Sequence, residues 1–303
     1  MNHIAIAGAG VLGAQIAYQC AFHGRTVVLH DLTQPVLDRA HTALARLAAV
    51  FQREMSAPPA ACEAALGRIR LTTDLGAALQ AADLLIEAIP EVLETKKAFY
   101  REAAGLAPAR TVFATNSSTL LPSRLAPATG RPERFLALHF ANEIWTRNTA
   151  EIMGHAQTDP AVFQQVVDFA RAIGMVALPL HREHPGYITN SLLIPWINAA
   201  MRLWAEGVAD PETIDRTWMI GVKTQFVPFA FADMVGLQTA YNITVAMAEQ
   251  QDDDALRTVA RRLKEEFIDR GKLGVSTGEG FYRYPDPDDA QPGFAQRRER
   301  SAS

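Results

Sequence analysis

The feature that most narrows what this chain can fold into is the run Gly8-Ala9-Gly10-Val11-Leu12-Gly13. The short apolar stretch from His3 to Ala7 precedes it, and an apolar stretch with helical character follows as far as Phe22. A second apolar segment, Arg25 to His30, then closes on Asp31. Three glycines at this spacing are common by chance. With a strand before, a helix after and an acid at the end of the next strand, they predict a complete βαβ unit. The three glycines serve different ends. Gly8 permits the tight turn, Gly10 lets a pyrophosphate approach the backbone, and Gly13 lets the helix pack on the strand. The helix start at Gly10, Val11, Leu12 and Gly13 offers free N–H groups and partial positive charge to phosphates. Asp31 is placed to accept both ribose hydroxyls. A 2′-phosphate there meets repulsion, and Leu32-Thr33 brings no arginine, so NAD is expected over NADP. The competing role for Asp31 is a turn or cap residue.

Further along, apolar runs at 83–89, 111–115 and 135–140 alternate with helical stretches, and a last strand is expected over 175–180. This pattern predicts an α/β domain with a mostly parallel sheet covered on both faces. Between Gln34 and Ala82 lies an insertion in which Leu37, Ala40, Leu44, Leu47 and Val50 recur at helical spacing until Pro58-Pro59. The character changes at His184-Pro185-Gly186. Beyond it the stretches 187–207, 233–251 and 253–270 read as helices, without strands. The expected organisation is a nucleotide-binding domain over 1–184, an all-α domain over 185–284 and a disordered tail over 285–303.

Formal net charge is −4, so no basic field draws the chain to nucleic acid or an anionic membrane. The basic run at 297–300 reads as solvated tail. Cys20 and Cys62 are the only cysteines, without CxxC or metal spacing, so neither a disulfide framework nor a metal site is expected. No apolar run is long enough to span a membrane, and a strand begins at His3, so neither an anchor nor a signal peptide is expected. The expected setting is cytoplasmic.

A bound dinucleotide implies hydride transfer, and oxidising an alcohol also requires a base titrating near neutrality, which favours histidine. Of eight histidines, His139 falls at the carboxyl end of a central strand, where open α/β sheets bind ligands. Spacing alone leaves a satisfied core histidine equally open. Glu151 lies in an extended segment across the loop 141–148, where its carboxylate can orient the imidazole and favour its protonated form. Asn116-Ser117-Ser118-Thr119 follows the strand 111–115, and Asn190 opens the second domain's first helix. Capping is the ordinary role for such an Asn-Ser-Ser cluster.

From residue 2 to 284 the sequence resembles the NAD-dependent L-3-hydroxyacyl-CoA dehydrogenase family. The resemblance rests on GAGVLG at 8–13, EAIPE at 87–91, ATNSSTL at 114–120, HFAN at 139–142, PGYITNSLL at 185–193 and STGEGFYRY at 276–284. It implies His139 as catalytic base and Glu151 as its orienting acid. Ser118 and Asn190 hold the substrate oxygens, and Glu91, Lys96, Asn116 and Asn142 stand on the cofactor side. It further implies a Rossmann-like first domain, a helical second domain that forms a homodimer, a site in the cleft between them, and a 3-hydroxyacyl-CoA substrate of fatty acid metabolism.

Four positions depart from the family. Glu143 replaces a proline and Arg147 an apolar residue. Leu47 and Glu54 stand where some members have a serine and a lysine that contact CoA. CoA recognition is therefore left open against a free hydroxy acid, as is a non-catalytic NAD-binding role. Arg147 either pairs with a substrate carboxylate or closes an ion pair on Glu143.

Overall fold

The computed structural model describes residues 1–291 and 293–296. The chain divides into two compact units, Met1–Ile188 and a second beginning at Thr189. In the first, β1 (His3–Ala7), α1 (Val11–Phe22) and β2 (Thr26–His30) form the βαβ unit expected from the glycine run. There follow α2 (Gln34–Glu54), α3 (Pro59–Leu66), β3 (Ile69–Thr72), α4 (Leu75–Leu79), β4 (Leu84–Glu87), α5 (Leu93–Leu106), β5 (Val112–Thr115) and α6 (Pro122–Leu125). The unit closes with β6 (Phe135–Phe140), β7 (Thr149–Met153), α7 (Pro160–Ala172) and β8 (Val176–Leu180).

The eight strands form one sheet in the order β3-β2-β1-β4-β5-β6-β7-β8. Every neighbouring pair is parallel except β6 and β7. The strand order reverses direction between β1 and β4, the crevice where such sheets bind nucleotides. Burial on both faces explains why β4 and β6 read as near-continuous apolar runs, interrupted by Glu87 and His139; all of their residues are buried. Helix α1 is buried from Gly13 to Ala21, so it carries almost no polar face. Helix α2 is amphipathic and buries Leu37, Ala40, Leu44, Leu47, Ala48 and Phe51. Leu47 thus belongs to the packed face of the helix. Strand β3 lies inside the stretch read as a helical insertion. It is four residues long and none is fully buried, too short a signal to register as alternation.

The second unit contains α8 (Thr189–Ala205), α9 (Pro211–Val222), α10 (Pro228–Val235), α11 (Leu237–Gln251) and α12 (Asp254–Glu266). Helix α9 was not anticipated, although Asp210 caps it through Thr213 N–H and Pro211 occupies its first turn, a legible start signal. The stretch 233–251 is broken at Gly236, where φ is +93°. The core contains Met201, Trp204, Phe229, Leu237, Val259, Leu263, Tyr282 and Phe294. Two fully buried acids organise the segment 276–284. Asp233 accepts from the N–H groups of Phe281 and Tyr282 and from the Tyr284 hydroxyl, and Asp215 accepts from Phe229 N–H and the Tyr282 hydroxyl. The expected tail 285–303 lies partly outside the described residues, the basic run 297–300 wholly so. Within its described part Phe294 is buried. Among the described residues no helix is long and apolar enough to cross a membrane.

Candidate active site

The glycine run forms the connection between β1 and α1. Gly8 has φ +99°, and a Cβ there would lie 2.4 Å from the Ala88 carbonyl oxygen. A Cβ on Gly13 would lie 1.8 Å from the Gly8 oxygen, so the helix start and the turn close on each other without room for a methyl. Gly10 is different: a Cβ there meets nothing within 4 Å. Its missing side chain leaves open space above the helix start, beside Val11, which is 74% exposed. Asp31 stands at the end of β2, accepting from Ala9 N–H and Leu32 N–H, each at 2.7 Å. A carboxylate has capacity beyond these two bonds. The open backbone N–H groups and the acid at the strand end fit an NAD pyrophosphate and ribose.

His139 lies in β6, and the antiparallel register of β6 on β7 sets it directly opposite Glu151. Glu151 is therefore the middle residue of its strand. His139 Nδ1 is 3.0 Å from Glu151 Oε2, with both residues more than nine-tenths buried. A carboxylate only accepts, so Nδ1 carries the proton, and Nε2 presents its lone pair. Ser118 Oγ lies 3.1 Å from that Nε2. The other Glu151 oxygen accepts from Ile188 N–H at 2.9 Å. Tyr187 packs flat on the imidazole, its ring centre 4.4 Å away and its plane tilted by 13°. Carboxylate, imidazole and hydroxyl are thus joined in one line.

A second network shapes the same sheet edge. Glu87 ends β4 fully buried and accepts from Lys96 Nζ, the Tyr100 and Thr115 hydroxyls and Ile89 N–H. Lys96 is buried too, 3.3 Å from Glu91 Oε2, and also donates to the Ile89 carbonyl. Glu91 accepts from Ser117 Oγ and from the N–H and hydroxyl of Thr119. Burial raises the Glu91 carboxyl's affinity for a proton, but the Ser117 and Thr119 hydrogen bonds and the Lys96 charge outweigh it, so its pKa is lowered. Asn116 Oδ1 accepts from Phe140 N–H, tying β5 to β6 beside His139. Asn142 is exposed in the loop after β6, and Asn190 is the second residue of α8 in the other unit.

In the loop 141–148, Glu143 has φ +60° and donates its N–H to Gln15 Oε1 on α1. Arg147 lies 3.3 Å from Glu143, realising the ion-pair alternative. Trp145 Nε1 donates to Glu54 Oε2 at 2.7 Å, and its ring packs near Phe51. Sequence reading assigned no role to Tyr187, Glu87 or Gln15. A charged residue closing an otherwise apolar strand was the available signal for Glu87. Gln15 and Tyr187 carry none without the contacts.

A nucleotide-binding crevice with a carboxylate-oriented histidine and an adjacent hydroxyl defines a class, the NAD-dependent dehydrogenases. Residues 3–183 match the description "3-hydroxyacyl-CoA dehydrogenase, NAD binding domain" and residues 186–284 "3-hydroxyacyl-CoA dehydrogenase, C-terminal domain". The chain belongs to the 3-hydroxyacyl-CoA dehydrogenase family. The human mitochondrial hydroxyacyl-coenzyme A dehydrogenase is 32% identical over 289 residues, covering 94% of this chain and 91% of the human protein. The probable 3-hydroxybutyryl-CoA dehydrogenase of Deinococcus radiodurans is 32% identical, over 92% of this chain and 99% of its own. Among solved structures, a diketoreductase described as acting on dicarbonyl compounds is 52% identical with a TM-score of 0.89, over 94% of this chain and 99% of its own. The (S)-3-hydroxybutyryl-CoA dehydrogenase of Ralstonia eutropha is 29% identical with a TM-score of 0.83, over 93% and 99%.

Proposed function

We propose that this enzyme interconverts a 3-hydroxyacyl-CoA and its 3-keto form with NAD(H), a step of fatty acid metabolism, using His139 as general base. The observation that carries the reading is the line Glu151–His139–Ser118, in the same unit as the glycine run. Bound NAD supplies the acceptor for the hydride leaving C3. His139 Nε2 removes the hydroxyl proton, Glu151 stabilises the imidazolium that results, and Ser118 holds the reacting oxygen. Asn190 is assigned the acyl carbonyl from the family pattern. Gly8, Gly10, Val11, Leu12, Gly13 and Asp31 hold the cofactor's phosphates and ribose. Glu91, Lys96, Asn116 and Asn142 stand on the cofactor side, with Lys96 paired to Glu91.

A second reading, the same chemistry on a dicarbonyl or hydroxy acid without CoA, has two supports. One is the 52% identity to the diketoreductase. The other is Glu54, which stands at a family lysine position, bonds Trp145 and has its pKa lowered by the Trp145 hydrogen bond and the Arg53 partner, so it stays anionic where a phosphate would come. NADH oxidation with acetoacetyl-CoA, with a free 3-keto ester and with a 3,5-diketo ester separates the two. Turnover confined to the CoA-free substrates overturns the first reading, and turnover confined to the thioester overturns the second.

The homodimer expected for the family finds support in the second unit. A groove of about 450 Å³ lined by Trp196, Leu203, Val208, Trp218 and Val222 lies on α8 and α9, and Ile220 and Phe226 are exposed nearby. A cytoplasmic setting is supported by two cysteines that are both free.

A further inference from the structure

We propose that Tyr187 is a positioning residue for the base, holding the His139 imidazole by its face and stabilising the charge it acquires. The inference rests on His139 being the base and deepens that reading. Three observations converge. The ring planes are nearly parallel, 13° apart with centres at 4.4 Å, a stacked contact and not an edge contact. The tyrosine hydroxyl donates to the Ser117 carbonyl at 2.7 Å, one residue before the serine that meets Nε2, so the ring cannot swing off the histidine without breaking a buried bond. Its backbone is left-handed, φ +54°, directly after Gly186 at φ +79°. A bulky residue is strained there, and such strain persists where surrounding contacts over-determine the residue.

The two ring nitrogens of His139 bond Glu151 and Ser118, and an imidazole's N–H and lone pair both point along its own plane. They fix rotation within that plane and resist tilting out of it only weakly. Tyr187 supplies the missing restraint, closing one face. The next N–H along, that of Ile188, donates to the other oxygen of Glu151. One dipeptide therefore fixes both members of the dyad. The face of an aromatic ring also attracts a cation, most strongly when water is excluded, and Tyr187 is 1% exposed. As His139 takes the substrate proton it becomes that cation, so the stack favours the transition state over the ground state.

The test compares wild type with Tyr187→Leu, Tyr187→Phe and His139→Gln in NAD-dependent oxidation of 3-hydroxybutyryl substrate, offered both as thioester and as simple ester. Tyr187→Leu loses about 5- to 30-fold in kcat with KM little changed. The pH at which its kcat/KM rises on the acid side moves down, by about half a pH unit, because the imidazolium is less favoured. Tyr187→Phe keeps the ring and so keeps kcat to within about 3-fold and the same pH limb. NADH affinity, measured by fluorescence, confirms that each variant is folded. A Tyr187→Leu enzyme with wild-type kcat and pH profile overturns the proposal while His139→Gln remains inactive. An active His139→Gln overturns the base assignment and this inference with it. Should Tyr187→Leu fail to fold, Tyr187→Phe decides alone, since loss of rate or a moved limb there refutes a role carried by the ring.

Discussion

Replacing Glu151 with glutamine tests the dyad by removing one charge and almost no volume. The Nδ1···Oε2 separation is 3.0 Å, and both side chains are more than nine-tenths buried. With charge centres about 4 Å apart and an effective dielectric of about 20, the carboxylate favours an imidazolium by about 4 kcal/mol. That stabilisation is absent while the ring is neutral and present once it holds the substrate proton, so it falls on the transition state. If fully expressed, its loss slows kcat by about a thousandfold. The amide adds a second penalty through its polarity. With its oxygen on Ile188 N–H, its NH2 faces Nδ1 and drives the ring proton to Nε2, leaving no base toward the substrate. Flipped, it restores the tautomer but sets two donors against each other at Ile188. The assay is NAD reduction under single-turnover conditions, with NADH binding measured alongside. A folded Glu151→Gln enzyme whose kcat stays within about 3-fold of wild type refutes the argument that this pair carries charge in the reaction.

Three further outcomes follow from the same coordinates. Gly10→Ala folds with an unchanged thermal midpoint, because its methyl meets nothing, yet binds NADH more weakly, whereas Gly13→Ala is destabilised because its methyl falls on the Gly8 carbonyl; equal midpoints with equal NADH affinities contradict this division. Burial pushes the pKa of Asp215 up to about 7 and that of Asp233 up to about 6. The folded state therefore holds protons that the unfolded carboxylates, near 3.9, have released. The stability these groups contribute is whole below about pH 4 and falls as pH rises toward 7, so Asp215→Asn flattens the decline of thermal midpoint over that window, and a slope identical to wild type speaks against it. Lys96→Met strands the buried Glu87 carboxylate and costs about 3–5 kcal/mol in urea unfolding; a loss below about 1 kcal/mol shows that the hydrogen bonds to Glu87 suffice without the cation.

Much of the nucleotide half was legible in the chain because its signals are local. Strand, glycine turn, helix and terminal acid follow within one βαβ unit, and α1 reads as buried because nearly all of it is. Strand β3 escaped notice because four half-covered residues give no periodicity, and the break at Gly236 because a single glycine is tolerated inside helical patterns. At the site, His139 was chosen from its place at a strand end, and Glu151 by its position across a loop. Glu54 looked like a lost contact in the sequence; in the structure its carboxylate holds the Trp145 indole.

Residue order alone pointed to a nucleotide-binding βαβ unit and to most of the strands that follow it, since backbone N–H groups that cradle a phosphate come from consecutive residues. Tertiary structure decided how His139 is held. The antiparallel pairing of β6 with β7 sets His139 against Glu151, and a left-handed residue far along the chain lays an aromatic ring on the imidazole. Such contacts depend on strand register and backbone dihedrals, which local residue patterns do not encode, because they arise only when segments distant in sequence are packed against one another.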